Sequence, residues 1–229
     1  MTTDTLLQLA SDSGGVLYVI AAMLFVALTL IVERTWFLQR VAASCHAVLH
    51  HVDRLGHVDP AGLSELAGRY RDLPVARILS VAARIGGERG RDTLSASLDE
   101  TIMREAPRVD RFLWVLDTIV TLAPLLGLFG TIVGMFHAFQ VLSNPGNAPT
   151  QVTGGVAEAL VATASGLFVA MLGLVFFNGL HNRVRIVVHQ LETLKVSLVN
   201  RMVGVVPEAR AETREHLREV AAKLAAQGA

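Results

Sequence analysis

The chain has 229 residues, of which 52% are hydrophobic and only 17% are charged, and its mean hydropathy is +0.48. A soluble domain usually has about a quarter of its residues charged, so this composition excludes an ordinary soluble protein and favours a helical membrane protein. Twenty basic and twenty acidic residues cancel, and the single cysteine, Cys45, excludes an internal disulfide.

Three apolar segments are about long enough to cross a bilayer, which takes roughly 20 residues. They are predicted at residues 14–33, 117–140 and 157–180. Residues 1–13 carry no Lys or Arg, so the first segment lacks the basic start of a signal peptide and is predicted to be a retained span. No strand pattern and no internal repeat is visible, so the predicted fold is an all-α membrane protein with three transmembrane helices.

The basic residues predict the orientation of these spans. Twelve Arg lie between the first two segments, eight Lys and Arg follow the third, and none lies in residues 1–13 or 141–156. Basic loops stay on the cytoplasmic side of a membrane. Residues 34–116 and 181–229 are therefore predicted to be cytoplasmic helical extensions, and residues 1–13 and 141–156 to be periplasmic.

Turn residues divide the cytoplasmic regions into helices. Breaks are predicted at Asp59-Pro60, Leu73-Pro74, Gly86-Gly87, Asp92-Thr93 and Pro107. The last of these is predicted to open one continuous helix, residues 108–140, that runs into the second span. The third span is predicted to continue to Gly204, and a final amphipathic helix is predicted at residues 208–226.

Small residues form a stripe on each of the last two spans. The stripes are Ala123, Gly127, Gly130, Gly134 and Ala138 on the second span, and Ala159, Thr163, Gly166, Ala170 and Gly173 on the third. Such residues let membrane helices approach closely. A helix-packing role is therefore predicted for Gly127, Gly130, Gly134, Gly166 and Gly173.

Five polar residues of these spans have two interpretations. They are Asp117, Thr121, Thr131, Glu158 and Thr163. In the first, they line a polar path across the membrane. In the second, the hydroxyls of Thr131 and Thr163 bond a carbonyl one turn earlier in their own helix. Glu158 is then a helix N-terminal acid that follows a Gly155 cap, and Asp117 is an interfacial acid.

No Asp, Glu, Lys or Arg lies in the middle of any span. A proton path through a membrane usually carries an ionisable group there. If this chain conducts protons, the titrating carboxylate must come from another chain. A non-conducting scaffold for partner helices would show the same small-residue stripes. The sequence has no nucleophile elbow and no phosphate-binding glycine loop, so we expect neither an enzyme nor a cofactor.

A histidine cluster follows the first span. It consists of Cys45, His46, His50, His51 and His57. His46 and His50 have the i, i+4 spacing of a helical metal pair. No carboxylate lies at a fixed spacing from them, so a solvated helix face is favoured and no metal site is predicted.

Two motifs resemble the ExbB/TolQ/MotA family of proton-channel subunits. They are APLLGLFGTIVGM at residues 123–135 and AEALVATASGL at residues 157–167. The ExbB and TolQ branches are the most similar, because MotA proteins have four spans and the sequence IVER at residues 31–34 looks like ExbB. With the three-span layout, the resemblance covers nearly the whole chain.

The resemblance implies a bacterial inner-membrane ring, a homopentamer around the single-span helices of an ExbD- or TolR-like partner. The partner's membrane-embedded Asp would supply the missing acid, and a TonB-like energy transducer would receive the motion. No nucleic acid is implied. Thr131 and Thr163 map by motif to pore threonines, and Glu158 to the family's glutamate. Gly154 departs from the family pattern, which usually has Pro there.

Overall fold

The computed structural model describes residues 15–55, 58–86, 90–142 and 149–203. Within these ranges the chain forms α-helices and no strand, so the prediction of an all-α fold is confirmed. The helices are α1 Val16–Arg54, α2 Pro60–Arg69, α3 Pro74–Ile85, α4 Arg91–Val109, α5 Leu113–Leu142 and α6 Pro149–Met202.

Three helices are long and apolar enough to cross a membrane, as judged by length and composition. The apolar stretches lie in α1, α5 and α6, which contain the three segments predicted above. The three-span prediction is therefore confirmed. The orientation of the termini stays a prediction.

Prolines begin two of the short helices, as predicted. Pro60 is the first residue of α2 and Pro74 is the first residue of α3, where the missing N–H has no intrahelical acceptor. Gly86 ends α3 with a φ of 63°, a conformation that favours glycine. The next helix begins at Arg91, so Asp92 lies in its first turn and not before it.

The prediction that Pro107 opens a continuous helix into the second span is wrong. α4 continues through Pro107 to Val109, because a proline in the last turn removes only one backbone hydrogen bond. The break comes at Phe112, whose φ is 67°, and α5 begins at the next residue. The Leu113 N–H donates to the Asp110 carbonyl over 3.3 Å, which closes this turn.

The connection between the second and third spans is shorter than predicted. α5 extends to Leu142 and α6 begins at Pro149, so residues 149–156 are helical and not part of a loop. α6 then runs without interruption to Met202, as predicted for a continuation of the third span. The amphipathic helix predicted at residues 208–226 lies outside the described residues.

The chain divides into two compact units. The membrane unit comprises Met1–Leu38 and Asp110–Val184, and the helical-extension unit comprises Gln39–Val109 and Arg185–Ala229. Small residues are prominent among the buried positions of the membrane unit, among them Ala27, Ala123, Ala138, Ala159 and Ala162. Many of its large apolar side chains face outward, such as Phe25 at 73% and Val175 at 70% exposure. An apolar surface of this kind requires lipid or neighbouring protein.

The helical-extension unit has a conventional core of branched aliphatic side chains. Fully buried members are Val41, Val48, Leu63, Ile78, Leu79, Leu94, Leu98, Leu191, Leu194 and Leu198. Each contributes about 1.5–3 kcal/mol by leaving water. Arg201 adds a polar contact, since it pairs with the Asp53 carboxylate at 2.9 Å and donates to the Leu55 carbonyl at 3.0 Å. The end of α6 thereby satisfies carbonyls at the end of α1.

Glu105 is a buried charge in the helical-extension unit. Its carboxylate accepts from Arg77 at 2.7 Å and from Arg108 at 3.3 Å, and it is 2% exposed. We expect Glu105→Gln to lower the free energy of unfolding by about 1–2 kcal/mol, because the charge-assisted bonds are lost while their half-exposed arginines stay partly hydrated. Thermal unfolding of the detergent-solubilised chain measures the change.

Glu100→Gln is the matched control for that change. Glu100 pairs with Arg104 at 2.6 Å on the same helix, but both side chains are exposed. Its substitution should change the free energy of unfolding by less than about 0.5 kcal/mol. Equal effects of the two substitutions would contradict a structural role for the Glu105 carboxylate.

Cys45 is buried in α1, at 1% exposure. Burial raises the pKa of its thiol from 9.0 to about 12, against a smaller opposing effect of Ser44. The free energy that the neutral thiol contributes to stability is fully present below pH 9, and it is lost as the pH rises towards 12. We expect N-ethylmaleimide to label Cys45 slowly in the native chain at pH 8 and rapidly after denaturation, as followed by mass spectrometry.

A control cysteine at an exposed position completes the labelling experiment. Ala61→Cys in a Cys45→Ser background places a thiol on the exposed face of α2. That thiol should react rapidly in the native chain. Equally rapid native labelling of Cys45 would show that its surroundings are open to water.

Candidate functional site

The closest helix contact of the membrane unit joins α5 and α6 at two glycines. A Cβ added to Gly127 would lie 3.0 Å from the Ala162 carbonyl oxygen and from Thr163 Cα. A Cβ added to Gly166 would overlap the Ala123 carbonyl oxygen and lie 3.0 Å from Gly127 Cα. The two backbones therefore touch, and only glycine fits at both positions.

The contact continues in both directions along the two helices. A Cβ at Gly134 would lie 2.9 Å from Ala159 Cβ, and one at Gly173 would lie 2.8 Å from Val120 Cγ2. A Cβ at Gly130 would lie 2.8 Å from Ala162 Cβ of α6 and 3.2 Å from Val16 Cγ1 of α1. All five glycines to which a packing role was assigned lie at this contact.

Thr163 links the two helices by a hydrogen bond. Its hydroxyl donates to the Gly127 carbonyl over 2.9 Å and is partly buried. The interpretation in which this hydroxyl bonds its own helix is therefore wrong, because the missing side chain at Gly127 brings a neighbouring carbonyl within reach. In a regular α-helix the same carbonyl also accepts the Thr131 N–H. One oxygen thus receives a bond from each threonine.

The Thr131 hydroxyl bonds a carbonyl of its own helix, as the second of the two interpretations predicted. The hydroxyl donates to the Leu128 carbonyl over 2.6 Å. Thr121 behaves in the same way and bonds the carbonyls of Thr118 at 3.0 Å and Asp117 at 3.2 Å. Both Thr121 and Asp117 are exposed on the surface of α5.

Glu158 lies well inside α6 and not at its start. Since α6 begins at Pro149, Gly155 is an interior residue and not a cap, and the interpretation of Glu158 as a first-turn acid is wrong. The Glu158 side chain is half-buried. Gly154 stands where the family pattern usually has Pro. A Cβ at this position would meet no atom within 4 Å, so the space beside the helix is open here.

Two groups were missed by the sequence analysis. The Gly127 carbonyl is the acceptor that binds Thr163, and a backbone group has no signature in a sequence. Arg34 is the other: it is 3% exposed, lies 3.8 Å from Glu33 and stacks over Phe37 at 5.0 Å. The pattern IVER at the end of the first span could have identified it, since a buried charge must be paired.

Among the described residues, no three His, Cys, Asp or Glu side chains lie close enough to hold a metal ion. The rings of His46 and His50 stack with centroids 6.4 Å apart. His57, the last member of the predicted cluster, lies outside the described residues.

Comparisons with known proteins agree with this architecture. Residues 71–193 match the model of the MotA/TolQ/ExbB proton channel family. The chain is 34% identical over 171 residues to the biopolymer transport protein ExbB-like 3 of Synechocystis, covering 72% of this chain and 80% of that protein. It is 36% identical over 98 residues to the biopolymer transport protein ExbB of Neisseria gonorrhoeae, covering 42% and 44%.

A TolQ relative matches the chain at a similar level. Identity to the Tol-Pal system protein TolQ of Haemophilus influenzae is 43% over 82 residues, covering 35% of this chain and 36% of that protein. The family match spans more than half of the chain, and its three apolar helices fit a multi-pass membrane protein. This chain belongs to the MotA/TolQ/ExbB proton channel family.

Proposed function

We propose that this chain is the ring-forming proton-channel subunit of a bacterial inner-membrane motor that drives a TonB-like energy transducer. The observation that carries the proposal is the contact of Thr163 with Gly127 on spans that hold no mid-membrane Asp, Glu, Lys or Arg. The site offers hydroxyl groups but no group that can be charged and discharged. A partner helix with a membrane-embedded Asp would complete it.

The direction of the hydroxyl bonds supports a specific role for the two threonines. The Thr163 hydroxyl donates a hydrogen bond to the Gly127 carbonyl, and the Thr131 hydroxyl donates one to the Leu128 carbonyl. The lone pairs of both hydroxyl oxygens therefore remain available as acceptors. An acceptor binds a protonated carboxyl group better than a carboxylate. The threonines would therefore favour the neutral form of the partner's Asp while it moves through the membrane.

The proton-motive force supplies enough energy for such a step. One charge that crosses 100 mV releases about 2.3 kcal/mol. Protonation removes the cost of keeping the carboxylate in a low dielectric, and deprotonation restores it. Alternation between the two states would change which face of the ring the partner prefers, and so would drive relative movement.

The surface of the membrane unit supports assembly with other chains. Large apolar side chains are exposed along α5, including Leu125, Phe129, Ile132 and Phe136. Together they form a larger exposed apolar surface than a soluble monomeric protein usually has. Lipid and neighbouring subunits can both cover this surface. A homopentamer with an ExbD- or TolR-like partner, with the N-terminus in the periplasm, accounts for this surface and for the charge distribution.

Proton flux into liposomes tests the proposal. The chain reconstituted with its ExbD- or TolR-like partner should conduct protons when a potassium diffusion potential is applied, as reported by a trapped pH dye. The chain alone, and the complex with the partner's Asp replaced by Asn, should conduct far less. Full flux from the chain alone would contradict the proposal, and no flux from the intact complex would favour a non-conducting scaffold.

The phenotype of a deletion strain distinguishes a TonB-linked role from a Tol-Pal role. Loss of energised outer-membrane uptake would support the TonB-linked role. The TolQ relative makes a Tol-Pal role the second candidate. In that case deletion should leave uptake intact and should make the envelope sensitive to detergent.

A further inference from the structure

A basic cavity lies in the helical-extension unit, between α2, α3 and α4. Its volume is about 610 Å³, which is within the range of small-molecule sites. Four arginines line it, and we call it the arginine cavity: Arg71, Arg77, Arg84 and Arg104. Glu105 is the acidic residue among its lining.

The positive charge of the arginine cavity is only partly neutralised. Glu105 is already held by Arg77 at 2.7 Å and by Arg108 at 3.3 Å, and Arg104 pairs with Glu100 at 2.6 Å. Within the part of the chain that the structure describes, Arg71 and Arg84 form neither an ion pair nor a hydrogen bond. Two guanidinium groups that donate to no described residue therefore border the same space.

The hydroxyl groups of the arginine cavity are already used as donors. Ser64, Ser80 and Thr101 donate to carbonyls of their own helices, at 3.2, 2.8 and 2.8 Å respectively. Arginine side chains are thus the available donors of this lining. A ligand that fits must consist of acceptors and carry negative charge, and the planar guanidinium binds phosphate oxygens in pairs.

A second cavity extends the positive surface. It has a volume of about 440 Å³, shares Arg71 with the first, and is also lined by Arg40, Arg69 and one acidic residue, Asp72. Arg69 pairs with Glu65 at 2.9 Å on an exposed face, where water and salt weaken the pair. Arg71 therefore lies between two basic recesses and belongs to both.

We propose that the arginine cavity binds a phosphate group, carried either by a soluble phosphorylated molecule or by a lipid headgroup. Arg71 and Arg84 supply the principal contacts, and the limited volume of the recess favours a small ligand over an acidic polypeptide. The proposal does not depend on proton conduction, because it involves no residue of the membrane unit.

Calorimetric titration of the full-length chain with pyrophosphate tests the proposal. The chain is reconstituted in phosphatidylcholine nanodiscs at low ionic strength. Binding should be measurable, should weaken as salt is added, and should become at least about tenfold weaker in Arg71→Gln/Arg84→Gln, which loses both free guanidinium groups. The matched control is Arg185→Gln, an exposed arginine of α6 outside the cavity, which should bind like the wild type.

Nanodiscs that contain phosphatidylglycerol distinguish the two phosphate sources. If pyrophosphate binds more weakly in these nanodiscs than in pure phosphatidylcholine, for the wild type and for Arg185→Gln alike, the occupant is a lipid headgroup. If the affinity is the same in both kinds of nanodisc, the occupant is a soluble ligand. The proposal would be overturned by the absence of pyrophosphate binding, by equal binding in the double variant, or by equally tight binding of hexaglutamate. The single variants Arg71→Gln and Arg84→Gln serve if the double variant unfolds, because neither side chain forms an ion pair or a hydrogen bond with another described residue.

Discussion

Gly166→Ala should prevent normal packing of the membrane unit. The added methyl group would overlap the Ala123 carbonyl oxygen and lie 3.0 Å from Gly127 Cα. Both are backbone atoms, so relief requires the helices to separate. Such overpacking costs about 1–3 kcal/mol, and separation would also break the Thr163–Gly127 hydrogen bond. Thermal melting of the detergent-solubilised chain, followed by size-exclusion chromatography, measures the loss.

Gly179→Ala is the matched control, because Gly179 lies on the same helix and a Cβ there would meet no atom within 4 Å. Alanine removes the conformational freedom of glycine in the unfolded chain, so this variant should be unchanged or more stable by about 0.5–1 kcal/mol. A melting temperature for Gly166→Ala equal to that of the control would show that α5 and α6 do not touch in the membrane.

Thr163→Val should abolish most of the proton flux of the assembled complex. Valine has nearly the shape of threonine, so the helices can still pack, but it has no oxygen that could accept from the partner's Asp in the proposed mechanism. We expect flux to fall by about tenfold or more, which corresponds to about 1.4 kcal/mol on the barrier. The measurement is dye-reported flux in liposomes, normalised to the amount of complex.

Thr163→Ser restores the hydroxyl group and should retain most of the flux. Structural loss is expected to be small for both variants, because hydrogen bonds between membrane helices are worth only about 0.6 kcal/mol on average. Thr193→Val supplies a second control, since the Thr193 hydroxyl donates to the His189 carbonyl on the helical extension of α6. Full flux from a complex with Thr163→Val would reject the pore role.

Hydrophobic length and breaker residues were enough to predict most of the helices. The three spans follow from apolar segments that only a bilayer can accommodate, and α2 and α3 begin at prolines because proline lacks the N–H that a first turn does not use. The same logic failed at Pro107. A proline in the last turn of a helix is tolerated. The helix ends instead near Phe112, which has a left-handed φ, and phenylalanine is not a residue type from which such a conformation is predicted.

The candidate site shows the same division. The small-residue stripes are visible in the sequence because helical periodicity places Gly127, Gly130 and Gly134 on one face. What faces them is a tertiary property. Only the packing of α5 on α6 shows that Thr163 bonds a neighbouring carbonyl while Thr131 bonds its own helix, since both hydroxyls could reach a carbonyl one turn earlier.

By itself the sequence determined the number of spans, the glycine faces and the lack of a chargeable group within the membrane, because these depend on composition and local period alone. The tertiary structure decided which hydroxyl joins two helices, that Glu158 lies inside a longer helix, and that distant arginines surround one cavity. Those features depend on contacts between residues far apart in the chain, and such contacts leave no periodic signal in it.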